Sequence, residues 1–134
     1  NKSGKVKKLF NCQNPKDNIA EMFYVIANLY STQKEYNLSN FYLKISILLN
    51  RNFTPNKALL AENFFLQKKY KESQKVYNSL KSIGEIYSWY SSLNEALILS
   101  ETNGQKYAVS KLRKEFSSLK KFKPSLQASN KSRS

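Results

Sequence analysis

Apolar residues recur along this chain at helical spacing in six stretches, each closed by a turn signal. Ile19, Met22, Phe23, Ile26, Ala27 and Tyr30 fall three or four residues apart or side by side on one face. Asp17 reads as the N-cap and Glu21 as a first-turn acid that suits the helix dipole, so a helix is predicted from there to about Gln33. From Tyr36 to Asn50, apolar side chains from Phe41 to Leu49 wrap nearly all round. Such a helix is expected to be buried on every side and to be the most central one. Thr54-Pro55 opens a third helix, capped by Thr54, that runs to about Lys68 through Leu59, Leu60, Ala61, Phe64 and Phe65. The fourth runs from Tyr70 to about Ser82 on a stripe of Ser73, Val76, Tyr77 and Leu80, with Gly84 ending it. The fifth, Glu85 to Thr102, carries Trp89, Leu93, Ala96, Leu97 and Leu99 up to an Asn103-Gly104 turn. In the sixth, Gln105 to about Lys120, Val109, Leu112, Phe116 and Leu119 form one narrow seam under charged residues, which predicts a terminal capping helix. Residues 1–16 read as a flexible basic leader closed by Pro15, with Leu9 and Phe10 docking on the first helices. Residues 120–134 read as a disordered basic tail.

The stretches pair up because the chain repeats at an interval of 34 residues. Ala27, Tyr30, Tyr36 and Ser39 recur as Ala61, Phe64, Tyr70 and Ser73, and Ile26 and Leu43 as Leu60 and Tyr77. Each pair of helices follows one logic. A small residue in the first helix meets a small residue in the second, an aromatic fills the space between hairpins, and a tyrosine covers the turn. A period near 34 built of two short helices is the signature of a helical solenoid.

These residues resemble the tetratricopeptide repeat (TPR) family. The first copy supplies Phe23, Ile26-Ala27, Tyr30, Tyr36, Ser39 and Leu43. The second supplies Leu60-Ala61, Phe64, Tyr70, Ser73 and Tyr77, with Lys57 in place of the large first residue. A degenerate third copy follows at 35 residues with Ala96, Leu99, Ala108 and Leu112. It departs from the pattern at Glu95 and Gln105, and Lys34 and Lys68 stand where the helix turn usually has glycine. The resemblance covers about residues 17–119, with repeats near 20–53, 54–87 and 88–119. It implies an all-α fold, a right-handed α-α superhelix of about three hairpins. It also implies a concave face, lined by the first helix of each pair, that would show Glu21, Tyr24, Asn28, Thr32, Ala58, Glu62 and Phe65. Family members that grip a C-terminal carboxylate use Lys, Asn and Arg there. Only Asn28 matches, and Tyr24 replaces the needed lysine, so that mode is not expected.

Composition narrows the function classes. The chain of 134 residues allows one domain, and its single cysteine, Cys12, excludes an intrachain disulfide. With no histidine, a Ser-His or Cys-His nucleophile pair and a histidine-bearing zinc site are excluded. The nine acids show no paired-carboxylate spacing, and Gly4, Gly84 and Gly104 form no phosphate loop. No catalytic residue, metal or cofactor is expected. Apolar runs stay far short of the ~20 residues of a membrane span, and no signal-peptide stretch is visible. A cytoplasmic location is the expectation, with an exported form left open because the chain begins at Asn1.

The net charge of +14 sits mainly in the flanks. Residues 1–16 and 120–134 carry +5 each, and residues 17–119 only +4. Phe, Tyr, Met, Ile, Asn and Lys make up 60 of 134 residues, and all use A/T-rich codons, so lysine abundance partly reflects composition rather than a selected basic surface. The leading expectation is a non-catalytic module that binds a peptide or protein segment, with room for self-association. The alternative is RNA association through basic flanks or helical repeats, with weak, salt-sensitive affinity for polyanions.

Overall fold

The computed structural model describes residues 14–122, and all regular structure in that span is helical: α1 (Pro15–Thr32), α2 (Tyr36–Leu49), α3 (Thr54–Leu66), α4 (Tyr70–Leu80), α5 (Glu85–Asn103) and α6 (Gln105–Phe122). Each helix packs chiefly on its neighbours in sequence, most closely within the pairs α1–α2, α3–α4 and α5–α6, and α1 also touches α3. The expected leader and tail lie largely outside the described residues, including Leu9 and Phe10. Both boundaries shift: α1 begins at Pro15 and α6 reaches Phe122. Asn14, not Asp17, caps α1, its Oδ1 accepting the Lys16 N–H at 3.2 Å. The fixed φ of Pro15 is already helical at the first position, so the helix starts two residues before the capping aspartate the sequence offered. In α3 the N-cap position is Phe53, and Thr54 lies inside the helix.

The 34-residue repeat is visible atom for atom. Ser39 Oγ donates to the Ala27 carbonyl at 2.7 Å, and Ser73 Oγ donates to the Ala61 carbonyl at 2.8 Å. All four residues are fully buried, so only a residue without a large side chain fits at either end. The turns coincide too. Glu35 N–H bonds the Tyr30 carbonyl and Lys34 N–H the Ser31 carbonyl, both at 2.9 Å. Lys69 and Lys68 repeat the pair on Phe64 and Phe65 at 2.8 and 2.9 Å. This two-bond closure places its pivot in the left-handed region, and Lys34 (φ 64°) and Lys68 (φ 60°) adopt it without being glycine. In the third hairpin Ala96 and Ala108 hold the two small positions, and Gly104 (φ 96°) makes the turn.

Four further expectations are corrected. The α2 helix is not enclosed: Leu38, Phe41 and Leu48 are exposed, the last at 75%. A helix in a row of hairpins touches its own partner and one neighbour, which leaves an outer side uncovered. Gly84 has an extended φ of 169° and stands before α5, so it is not a left-handed helix stop. The buried face of α5 is Ser91, Ser92, Glu95, Ala96 and Ile98, while Leu93 and Leu97 are exposed. On α6, Val109 and Phe116 are exposed and border a hollow shared with Trp89 and Leu93 of α5, so the seam expected to be dry is partly open.

Two cores hold the helices together. Ala27, Leu43, Leu59 and Leu60 join α1, α2 and α3, with Tyr42 stacked on Phe23 and Tyr30 at centroid distances of 5.9 and 5.5 Å. Ala61, Tyr77, Leu80 and Ile98 join α3, α4 and α5.

Candidate protein-binding face

The face expected to bind is carried by α1 and α3. Glu21, Tyr24, Asn28 and Thr32 follow one another at three, four and four residues along α1, which aligns them on one side of the helix. Glu21, Asn28 and Thr32 are exposed, and Thr32 Oγ1 turns back to the Leu29 carbonyl at 2.7 Å. Tyr24 is half-buried, its ring edge-on to Phe53 at 5.3 Å.

On α3 the residues are more engaged than the sequence suggests. Ala58 and Phe65 pack against the Ala61–Tyr77–Leu80–Ile98 core, and Phe65 meets Tyr70 edge-on at 5.7 Å. Phe65 is therefore half-buried rather than open beside Tyr24. Glu62 stays exposed and accepts a hydrogen bond from Tyr90 Oη at 2.5 Å, tying α3 to α5. Burial, and then the Glu62 carboxylate, push Tyr77 up to about 12. Tyr90 is raised further, first by burial and then by its bond to Glu62. Of the seven residues, Glu21, Asn28, Thr32 and Glu62 remain open to a ligand.

The residues missed by sequence reading are polar and internal. Asn63 is fully buried between the first two hairpins. Its Nδ2 donates to Ser39 Oγ at 2.7 Å and to Asn40 Oδ1 at 2.9 Å, and its Oδ1 accepts from Ser31 Oγ at 2.7 Å. Gln67 continues the network, accepting from Asn40 at 3.0 Å and donating to Asn37 at 2.8 Å. One heptad away a second rung repeats the scheme: Asn56 Nδ2 donates to Ser46 Oγ at 3.3 Å, and Ser46 Oγ to the Ala20 carbonyl at 2.6 Å. The signal was present in the sequence. Ser39 and Ser46 are seven apart, as are Asn56 and Asn63, so each pair lies on one helical face.

Glu95 is the other. It stands where the repeat pattern calls for an apolar residue, and it is buried. Its Oε2 accepts from Lys81 Nζ at 2.6 Å and from Lys111 Nζ at 2.8 Å, which links α5 to the end of α4 and to α6. Its Oε1 has no hydrogen-bond partner among the described residues. Both lysines are about a third exposed and carry their charge to the surface.

At the far end of the molecule two shallow apolar hollows run between α5 and α6. One, of about 490 Å³, includes Trp89, Leu93, Leu112 and Phe116; the other, of about 330 Å³, includes Leu93, Leu97, Ala108 and Val109. Beside them a polar trough of about 590 Å³ is bordered by Lys106, Arg113 and Lys114. Among the described residues, no three His, Cys, Asp or Glu side chains are grouped as a metal site would need, and no helix is long and apolar enough to cross a membrane. Compared with known protein families and with curated proteins, the sequence matches none.

Proposed function

We propose that this chain is a non-catalytic interaction module of the tetratricopeptide type, whose hairpins stack into a short right-handed solenoid. In this reading, the face carried by α1 and α3 binds an extended or helical protein segment. One observation carries the reading: two successive hairpins share the Ser–Ala carbonyl bond and the same two-bond turn, 34 residues apart. Repetition of that kind builds a surface rather than a pocket. On that surface Glu21, Asn28 and Glu62 offer carboxylate and amide groups suited to a peptide backbone or a basic side chain. Tyr24 and Phe65, fixed by Phe53 and Tyr70, supply aromatic ground beneath them at little entropic cost.

The test is selection of peptides from a display library on the intact chain, followed by binding of the selected peptides to Asn28→Arg and Glu62→Arg variants. A loss of at least about tenfold in both is the expected result. Selected peptides that bind both variants unchanged would move the site elsewhere.

A second reading has its own observation. The α6 helix carries six basic residues against Glu115, a net +5, whereas residues 14–104 together carry only +2. That charge and the lysine-rich flanks suit weak polyanion binding. An Arg113→Glu, Lys114→Glu variant should elute from heparin at lower salt than the parent if α6 takes part.

A further inference from the structure

The first and last described hairpins bear exposed apolar residues, and the repeat says what the same positions meet between hairpins. Asn56, Leu59 and Asn63 of α3 are the residues that seat the second hairpin on α2, and all are buried. Thirty-four residues earlier, the same positions of α1 are Met22, Val25 and Leu29, which are 63%, 57% and 59% exposed. At the other end, Ala58, Glu62 and Tyr77 help hold the third hairpin on the second, through the Ile98 core and the Tyr90 bond. Thirty-five residues later stand Leu93, Leu97 and Leu112, bordering the hollows between α5 and α6, with Leu93 and Leu97 half-exposed. Met22, Val25 and Leu29 are thus open where the same positions of α3 are buried, and Leu93 and Leu97 put large apolar side chains where the internal hairpin has half-buried Ala58 and exposed Glu62.

We infer that these ends are the two halves of one head-to-tail interface, in which α1 of one copy seats on the α5–α6 face of a second copy as α3 seats on α2. The match is continuity with the internal junctions: each end presents the half that the other end lacks. Charge runs in the same sense, since α1 carries Asp17 and Glu21 against Lys16, and α6 is +5. An interface of unlike faces does not close on itself in a pair, so it propagates. The inference rests on the equivalence of the hairpins and is independent of what binds the α1–α3 face.

The experiment is sedimentation of the full 134-residue chain over a wide concentration range, with Met22→Glu and Leu93→Glu variants. Both substitutions fall at exposed positions, and circular dichroism verifies that each variant is folded. The parent should show a weight-average mass that rises with concentration past that of a dimer. Each single variant, with one blocked face, should stay monomeric. Their equimolar mixture should form a heterodimer and nothing larger, because one variant keeps its first face and the other its last. A parent that stays monomeric throughout overturns the inference. So does self-association retained by either single variant, which would mark a like-with-like contact through the face left intact.

Discussion

The junction between α2 and α3 and the junction between α4 and α5 join equivalent hairpins with different chemistry. The first is polar at its centre. Ser39 and Ser46 each donate to an α1 carbonyl and each accept from an asparagine of α3. The second is apolar at its centre, where Tyr77, Leu80 and Ile98 meet, and its polar contacts lie to the sides, Glu95 with Lys81 and Lys111 and Tyr90 with Glu62. The substitutions line up by the repeat: Ser46 becomes Leu80, Asn63 becomes Ile98 and Asn56 becomes Ser91. Ser91 keeps a hydroxyl but has lost the serine that would face it, and its Oγ finds no hydrogen-bond partner among the described residues. The bond from Ser39 or Ser73 to an alanine carbonyl is the same on both sides. The closeness of the two helices in a hairpin is thus held constant, while the contact between hairpins is free to vary. The polar junction is satisfied at Asn63 and leaves Asn56 Oδ1 without a hydrogen-bond partner among the described residues; it fixes register because any slip strands buried amides, whereas an apolar contact tolerates more drift.

Exchanging the two chemistries is the sharpest way to break this comparison. Ile98→Asn should cost roughly 3–5 kcal/mol, since it removes core volume and leaves an amide with no network to join. Asn63→Ile should also destabilise, by roughly 2–4 kcal/mol, by orphaning Ser31, Ser39 and Asn40. Urea unfolding of both variants gives the values. If Ile98→Asn proved as stable as the parent, the two junctions would be interchangeable and the distinction empty.

Alkali should find the second junction first. Tyr77 is raised from its ordinary value of 10.0 to about 12 by burial and then by Glu62. A group whose folded pKa is raised holds its proton more tightly when folded. Its contribution is therefore whole below pH ~10 and is lost as pH rises towards ~12, a loss of roughly 2–3 kcal/mol. Stability measured across that window should fall, and Tyr77→Phe should flatten the fall. A parent whose stability stays level across it would contradict the burial of Tyr77.

Within a hairpin the comparison predicts sameness. Ala61→Leu should cost ~1–3 kcal/mol through overpacking against Ser73, and Ala27→Leu a similar amount, whereas Lys71→Leu on the outer face should change little. Equal melting temperatures for Ala61→Leu and Lys71→Leu would place the close approach elsewhere.

The smallest effect is at the turns. Lys34→Gly and Lys68→Gly should each stabilise by about 0.5–1 kcal/mol, because relief of the left-handed backbone outweighs the added freedom of the unfolded chain. Thermal melts of the two single variants should agree, since the turns are superimposable in their bonds.

Much of the fold was legible, and for local reasons. Six helical stretches follow from apolar spacing and turn residues, and the pairing of Ala27 with Ser39 and Ala61 with Ser73 follows from their recurrence. What failed was the assumption that apolar means inside. Phe41, Leu48, Leu93 and Val109 are helical, periodic and exposed. Periodicity fixes which residues share a face of a helix, but not whether another element covers that face. The candidate site shows the same limit: Glu21 and Asn28 are open as expected, while Phe65 and Tyr24 are held down by Tyr70 and Phe53.

The sequence by itself determined the helices, their turns and the 34-residue equivalence, because each depends on interactions a few residues apart or on close repetition of side-chain size. Only the tertiary structure decided that Asn56, Asn63 and Glu95 lie inside and that Met22, Val25 and Leu97 lie outside. A buried amide or carboxylate survives only where partners from other helices arrive within hydrogen-bond distance. Which helix arrives is set by packing between hairpins, and that is not written in the spacing of any single helix.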